Sequence, residues 1–214
     1  MGARAGRVRP SGRTDGRAPH GLSADLRVDA WAERRGFSVA AFDAHALAER
    51  KTDSVSVVLP CREVAATIGP ILAALQPLEE IGLVDEILVI DAASRDGTAE
   101  IAQRHGARVV QESAVLPQFG PCRGKGDAMW RALAVTTGAV VAYIDADTRE
   151  FDARFALGLI APLVVDSEIA LVKGAFRRPL QAGGALLADE GGRVTERVAR
   201  QPLTRVARGP GGAR

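Results

Sequence analysis

The chain has 214 residues, of which 47% are hydrophobic, and its formal net charge is +2. This length supports one folded core and at most two domains, and so mild a charge gives no argument for a nucleic-acid partner. No apolar stretch approaches the length of a membrane-spanning helix, so we expect no membrane span.

The two ends of the chain differ in composition from its middle. Residues 1–36 and 201–214 are rich in arginine and glycine and poor in large apolar residues, which is typical of disordered tails. We therefore expect one folded domain at 37–200. Cys61 and Cys122 fit neither a disulfide framework nor a paired metal site, which indicates reduced thiols in a cytoplasmic protein.

Strands and helices alternate through the central part of the chain. Short apolar or β-branched runs predict strands at 54–59, 86–90, 107–110, 140–144 and 169–172. Apolar residues at helical spacing predict helices at 65–75, around Ile101, at 124–136 and at 152–164. Apolar strands that alternate with helices indicate an α/β fold with a mainly parallel, Rossmann-like sheet and helices on both faces.

The carboxyl ends of the predicted strands carry the candidate ligand-binding residues. Right-handed crossovers place these ends along one edge of a parallel sheet, and ligands bind in the crevice outside that edge. Pro60, Asp91 and Asp145 each follow a predicted strand, so we expect them to gather in one site.

The segment VVAYIDADT, residues 140–148, ends in two aspartates that are one residue apart. If the chain stays extended, Asp145 and Asp147 point the same way, and two adjacent carboxylates are unfavourable without a cation. Carboxylates together with substrate phosphates are the usual ligands of Mg²⁺. An acidic turn that ends the strand is the alternative, but the position at the ligand-binding edge favours a metal.

Two glycine-containing segments are candidate anion sites. Gly124-Lys125-Gly126 begins a predicted helix, where backbone N–H groups and the lysine favour a phosphate; a solvated lysine in an ordinary turn is the alternative. The segment lacks the pattern of a P-loop. In GGRVTE, residues 191–196, Arg193 and Thr195 could bind a second phosphate or carboxylate, and the alternative is a loop before a capped helix.

Seven segments of the chain carry a resemblance to a known family. In order, they are SVSVVLP, LVDEILVID, GARVV, GKGDAMWRALA, VVAYIDADT, LVKGAFRRPLQ and GGRVTE. Over about residues 37–200 the chain resembles the glucosyl-3-phosphoglycerate synthases, which are retaining glycosyltransferases with the GT-A fold. The resemblance implies transfer of glucose from UDP-glucose to the hydroxyl of 3-phosphoglycerate, with Mg²⁺ or Mn²⁺ as cofactor.

The resemblance also implies roles for single residues. Nucleotide-sugar binding is implied for Pro60, Cys61, Arg62, Lys125, Asp145 and Ala146. Metal binding is implied for Asp147. Binding of the acceptor's phosphate is implied for Gly192, Arg193, Val194 and Thr195. No enzyme nucleophile is implied, because in this family the departing phosphate helps to deprotonate the acceptor.

This chain departs from the family pattern at several positions. Glu63 stands one place early, Val64 replaces a nucleotide-contacting glutamate, and Ala92 replaces a serine near the base, which leaves the donor base open. The family continues beyond GGRVTE with a histidine metal ligand, further acceptor contacts and a dimer surface. The resemblance therefore implies a truncated or frame-shifted chain, with impaired transfer and a doubtful homodimer.

Three alternatives remain open at the level of the sequence. Another GT-A enzyme with a different sugar nucleotide or acceptor, such as a polyprenyl phosphate, would share most of these motifs. A nucleotidyltransferase fits less well, because it would place a glycine-rich loop with a lysine where Pro60 to Glu63 stand. The third alternative is a nucleotide-binding protein without catalytic activity.

Overall fold

The computed structural model describes residues 30–31, 33–174, 178–182 and 185–191. The chain divides into two units, one that extends to Lys173 and one that begins at Gly174. The first unit contains the helices α1 (Ala44–Arg50), α2 (Ala65–Glu80), α3 (Thr98–Arg104), α4 (Lys125–Ala132) and α5 (Ala153–Val165). Its strands are β1 (Val55–Cys61), β2 (Glu86–Asp91), β3 (Arg108–Gln111) and β4 (Val140–Tyr143).

The four strands of the first unit form one sheet in the order β3-β2-β1-β4, and every neighbouring pair is parallel. Both faces are covered. Val57 and Leu59 pack on one face with the apolar side of α2 and α5. Val58 packs on the other face with Ala128 and Ala132 of α4. The fold class predicted from the sequence is therefore confirmed for this sheet.

The second unit contributes an antiparallel hairpin among its described residues. Its strands are β5 (Arg178–Ala182) and β6 (Ala185–Gly191), and Leu180 lies opposite Leu187. The predicted tails at 1–36 and 201–214 lie largely or wholly outside the described residues, and the predicted domain boundaries stay predictions. Within the described segments, no helix has both the length and the apolar character needed to cross a membrane.

The predicted strand at 169–172 is wrong. Residues 169–172 have irregular structure, the backbone N–H of Ile169 turns back to donate to the carbonyl of Asp166 at 3.1 Å, and Leu171 is 77% exposed. A strand needs a neighbour that pairs with its backbone groups. Across the described segments β4 pairs with β1 alone. Residues 169–172 therefore have no described strand to pair with, and none of them is buried.

Helix α2 is longer than the sequence predicted, and α4 is shorter. Helix α2 continues past Leu75 to Glu80 although it contains Pro70 and Pro77. The buried side chains on its inner face outweigh the unfavourable prolines; they are Ile68, Ile71, Leu72, Leu75 and Leu78. Helix α4 ends at Ala132, four residues before the predicted end.

Glu86 holds the amino ends of the strands together, at the edge opposite to the strands' carboxyl ends. Its carboxylate accepts hydrogen bonds from Ser56 Oγ at 2.5 Å, Arg108 Nη1 at 2.7 Å and the backbone N–H of Thr137 at 2.9 Å. Gly138 N–H donates to Ser56 Oγ at 2.8 Å. This contact brings the chain that enters β4 against β1, where Val140 pairs with Val55.

Replacement of Gly138 by alanine should destabilise the fold. A methyl group there would meet Ser56 Oγ at 2.6 Å and overlap the Ser56 backbone nitrogen, and such overpacking costs about 1–3 kcal/mol. Gly158→Ala is the matched control, because its methyl group would lie 3.6 Å from Val39 in ordinary contact. Urea unfolding should show a loss of stability for Gly138→Ala only. Equal midpoints for the two variants would contradict the close approach.

Glu86 should make stability depend on pH. Burial raises the pKa of Glu86, but hydrogen bonds from Ser56, Thr137 and Arg108 outweigh it and hold the pKa below its ordinary value. The resulting stabilisation is complete above the unfolded pKa of about 4.3 and is lost as the pH falls through the folded value. Glu86→Gln should therefore cost about 1–2 kcal/mol at pH 7 and progressively less toward pH 3. A pH-independent difference in urea unfolding would contradict this account.

Candidate functional site

A cleft of about 270 Å³ opens at the carboxyl edge of the parallel sheet. Its walls come from the segments that follow the four strands and from the start of α4. The lining residues are Pro60, Cys61, Arg62, Val64, Ile90, Ala92, Glu112, Cys122, Gly124, Lys125, Ala128, Ala146 and Asp147. The spacing of motifs in the sequence predicted this gathering, and six of the lining residues are predicted site residues.

Lys125 and Asp145 form an ion pair at this cleft, between the start of α4 and the end of β4. Gly124 precedes the lysine with φ 120°, a conformation that favours glycine. Both charged side chains are about half exposed, at 52% and 49%, so the pair contributes little to stability. The ion pair instead matters for position, because it places the ammonium group of Lys125 beside Asp145 at the end of β4.

Asp145 and Asp147 lie in a turn rather than on an extended strand. Strand β4 ends at Tyr143, and Thr148 Oγ1 donates to the carbonyl of Asp145 at 3.0 Å. Both aspartates are nevertheless exposed, with buried Ala146 between them. Ion pairing occupies Asp145, whereas Asp147 has no ion-pair partner within the described segments. The segment after β4 thus forms the acidic turn and also keeps the carboxylates of Asp145 and Asp147 exposed to solvent.

The first turn of α4 offers backbone donors to an anion. The N–H groups of Asp127 and Ala128 already donate to the carbonyl of Gly124, at 3.0 and 3.1 Å. The N–H groups of Lys125 and Gly126 have no acceptor in the part of the chain that the structure describes. Two free amides beside a lysine at a helix N-terminus form a favourable environment for phosphate.

The start of α2, in contrast, is closed to ligands. Three backbone N–H groups at the β1–α2 junction donate to side chains of the loop after β2. Glu63 N–H donates to Ser94 Oγ at 2.9 Å and Val64 N–H to Thr98 Oγ1 at 2.9 Å, and Ala65 N–H donates to Asp96 Oδ2 at 2.8 Å. Most backbone donors at the start of α2 are thus engaged, which favours the start of α4 for binding an anion, and the exposed side chain of Arg62 also lines the cleft.

Asp91 lies at the predicted edge but has a structural role. Its side chain is fully buried and accepts hydrogen bonds from Ser94 Oγ at 2.6 Å, Ser94 N–H at 3.1 Å and Gln111 Nε2 at 2.8 Å. Its oxygens therefore orient the loop after β2. Burial, with a further effect of the Asp91 charge, raises the pKa of Cys61 to about 12, so the thiol stays protonated and is a poor nucleophile.

Arg131 joins α4 to the loop before it. Its guanidinium is 1% exposed and donates to the carbonyls of Val115 and Gly120, both at 2.7 Å. In the same loop, the Phe119 ring packs edge-on against Trp130, with centroids 5.3 Å apart. These contacts fix the segment that leads into Lys125.

Seven of the lining residues are not among the predicted site residues, and Glu112 and Cys122 are the two of these whose side chains can form hydrogen bonds. Pro60 and Asp145 were predicted because each follows the carboxyl end of a strand. Glu112 directly follows β3, so the same rule applied to the third strand would have predicted it. Cys122 lies beside it, three residues before the start of α4. Burial, followed by a hydrogen bond with Glu112, raises the pKa of this thiol.

The predicted acceptor residues Gly192, Arg193, Val194 and Thr195 lie outside the described residues, so their arrangement stays a prediction. The same holds for the role of every other predicted site residue. Among the residues that are described, no cluster of three or more His, Cys, Asp or Glu side chains could enclose a metal ion. Any cation here would need ligands beyond the aspartates.

A family model described as glycosyl transferase family 2 matches residues 56–171. Glucosyl-3-phosphoglycerate synthase of Mycolicibacterium smegmatis is 46% identical over 150 residues, which cover 70% of this chain and 49% of that relative. The Mycobacterium tuberculosis protein of the same name is 41% identical over 191 residues, covering 88% and 56%. The resemblance seen in the sequence is thus confirmed. This chain spans about half the length of these curated relatives.

Solved structures give the same relationship. The crystal structure of mannosyl-3-phosphoglycerate synthase from Rubrobacter xylanophilus matches with a TM-score of 0.67 at 45% identity, over 72% of this chain and 52% of that one. A structure of glucosyl-3-phosphoglycerate synthase from Mycobacterium tuberculosis, in complex with Mn²⁺, UDP and glucosyl-3-phosphoglycerate, matches with a TM-score of 0.60 at 38% identity. That match covers 81% of this chain and 56% of the other.

Arg131→Met should destabilise the first unit strongly. The change removes the guanidinium donors and leaves the carbonyls of Val115 and Gly120 unpaired, which costs about 2–4 kcal/mol. Arg131→Lys should recover less than half of the loss, because one ammonium group cannot reproduce the planar fork. Arg104→Met, at an exposed position in α3, is the control for urea unfolding. If Arg131→Met and Arg104→Met unfold alike, the proposed bracing by Arg131 is wrong.

Proposed function

This chain belongs to glycosyl transferase family 2, and on that premise we propose that it transfers glucose from UDP-glucose to the hydroxyl of 3-phosphoglycerate, with retention at the sugar. The observation that carries the proposal is the cleft at the carboxyl edge of the sheet. There Lys125 and the free amides of α4 face the exposed aspartates after β4. The curated relatives are glucosyl-3-phosphoglycerate synthases, and a related Mycobacterium tuberculosis structure contains Mn²⁺, UDP-glucose and phosphoglyceric acid.

The diphosphate of the donor would bind at the start of α4. Lys125 supplies a positive charge, and the N–H groups of Lys125 and Gly126 supply directional donors. When phosphate oxygens arrive, the ammonium group can exchange Asp145 for the ligand at small cost, because the ion pair is exposed. Asp145 would then be free to accept a hydrogen bond from a ribose hydroxyl.

Asp147 would hold Mg²⁺ or Mn²⁺ together with the diphosphate. The donor set fits such a cation, because Asp147 offers an exposed carboxylate without an ion-pair partner among the described residues, and one or two carboxylates plus substrate phosphates are sufficient. Mn²⁺ and UDP occur together in the related Mycobacterium tuberculosis structure. When bound, the cation would stabilise the negative charge that develops on the leaving diphosphate.

The residues of this chain would bind and orient the donor without attacking it. The Cys61 thiol stays protonated, since burial raises its pKa to about 12, and the oxygens of Asp91 already accept hydrogen bonds from Ser94 and Gln111. Neither group can serve as a nucleophile. This favours direct transfer, in which the departing phosphate receives the proton of the acceptor hydroxyl.

The remaining parts of the proposal rest on the sequence. Gly192, Arg193, Val194 and Thr195 would bind the phosphate of 3-phosphoglycerate. We place the protein in the cytoplasm, because Cys61 and Cys122 are free thiols, which suit a reducing compartment. The bounds 37–200 for the folded domain likewise rest on the sequence.

Asp147→Asn should abolish the metal dependence of UDP binding. In calorimetric titrations, Mn²⁺ should tighten UDP binding to the unchanged protein at least tenfold, because Asp147 would hold the cation and its charge would offset that of the diphosphate. The amide variant should bind UDP equally with and without Mn²⁺. Asp53→Asn, an exposed change next to the amino end of β1, is the matched control. Metal-independent UDP binding by the unchanged protein would contradict the role of Asp147.

A transfer assay tests the remainder of the proposal. The protein, with UDP-glucose, 3-phosphoglycerate and Mn²⁺, should release UDP and form a glucosylated product, and both should require Lys125, since it binds the diphosphate. Metal-dependent UDP binding with no product would overturn the transfer and leave a nucleotide-binding protein.

A further inference from the structure

We propose that Glu112 is a specificity-determining residue that reads the nucleobase of the donor and selects bases with a ring N–H group, uracil and guanine. The inference rests on the proposed binding of a nucleoside diphosphate in the cleft. Its starting point is a carboxylate that lines the cleft at the end away from Asp147 and has no part in the steps described above.

The strand order allows the length of the cleft along the sheet edge to be estimated. Asp147 follows β4 and Glu112 follows β3, and β1 and β2 lie between them. Neighbouring strands are about 4.8 Å apart, so the ends of β3 and β4 lie about 14 Å apart along the sheet edge. This is comparable with the extended length of a nucleoside diphosphate. With the diphosphate at Asp147, the ribose lies over β1 and the base reaches the ends of β2 and β3.

The walls at that end of the cleft suit a flat base. Ile90 and Ala92 belong to β2 and its carboxyl end, and Ala128 of α4 lines the same cleft. Ala92 is partly exposed there and Ile90 and Ala128 are buried beside it, so this part of the wall is apolar and offers no side-chain hydrogen bonds. The nearby carboxylate of Asp91 is buried and already accepts from Ser94 and Gln111. Glu112 is the lining side chain at this end that can accept a hydrogen bond from a base.

Local structure holds Glu112 in place. It begins the short 3-10 turn Glu112–Ala114, and its carbonyl accepts from the N–H of Val115 at 3.2 Å. Val115 is buried and its own carbonyl accepts from Arg131 at 2.7 Å. The side chain of Glu112 is half-buried and touches the thiol of Cys122. The carboxylate is thus confined to the cleft wall, where a directed hydrogen bond is favourable.

The chemistry of a carboxylate decides which bases it accepts. An ionised carboxylate only accepts hydrogen bonds. At the ring nitrogen that would face Glu112, uracil N3–H and guanine N1–H donate, whereas cytosine N3 and adenine N1 present lone pairs. The amino groups of cytosine and adenine lie one position along this edge, where uracil and guanine have a carbonyl oxygen. A carboxylate held in line with the ring nitrogen is paired by uracil or guanine and faces a lone pair in cytosine or adenine, and this difference in pairing gives discrimination. UDP and CDP provide the sharpest comparison, because their rings have the same size.

Glu112→Gln should remove the preference for UDP over CDP. The unchanged protein with Mn²⁺ should bind UDP at least tenfold more tightly than CDP. The amide that this change introduces can either donate or accept, so the variant should bind the two nucleotides within about threefold of each other. Glu112→Ala should also lose the preference, and Glu79→Gln, an exposed change on α2, should keep it. Thermal unfolding should show that all variants are folded.

The outcomes separate this inference from the proposed function. If UDP binds in a metal-dependent manner and the UDP-to-CDP ratio is the same in Glu112→Gln as in the unchanged protein, the role of Glu112 is wrong and the nucleotide site stands. If neither UDP nor CDP binds to the unchanged protein, the nucleotide site itself is wrong and the inference falls with it. A collapse of the ratio in Glu112→Gln and Glu112→Ala, but not in Glu79→Gln, supports the role.

Discussion

Parallel pairing of β1 with both β2 and β4 is the constraint on which the rest of this structure depends. Since all four strands run the same way, the segments after them must emerge along one edge. Residues as distant in sequence as Pro60 and Asp147 therefore line one cleft. At the opposite edge, Glu86 and the close approach of Gly138 to Ser56 hold the strands in register. The position of the cleft follows from contacts that lie at the other end of the sheet.

The two sides of the cleft differ in how firmly they are held. The loops after β1 and β2 use one another's donors and acceptors, through Glu63, Ser94, Asp96 and Thr98, so this side is pre-formed. The other side depends on the ion pair of Lys125 with Asp145, whose members are half exposed. A charged ligand can replace such a pair at little cost. A rigid wall for the base and an exchangeable charge for the phosphate suit a site that binds and releases nucleotides.

The sequence predicted most of the first unit, because the period of apolar residues encodes strands and helices locally. It failed at 169–172, where an apolar run has no neighbouring strand within the described residues. Lys125 and Asp147 could be predicted as site residues from motifs at strand and helix ends. The structural role of Asp91 and the bracing by Arg131 could not, because Gln111 and Val115, which they contact, lie 20 and 16 residues away in sequence and become neighbours only after folding. Glu112 was missed although it follows a strand, since one acidic residue forms no motif.

The central claim is that a nucleoside diphosphate and a divalent cation bind together between α4 and the end of β4. Paramagnetic broadening of backbone amide signals by Mn²⁺ tests this placement most directly. With UDP present, Mn²⁺ should broaden the signals of Gly126, Ala146 and Asp147 and leave that of Asp53, next to the amino end of β1, unchanged. Broadening that is independent of UDP, or that is centred away from the cleft, would contradict the account.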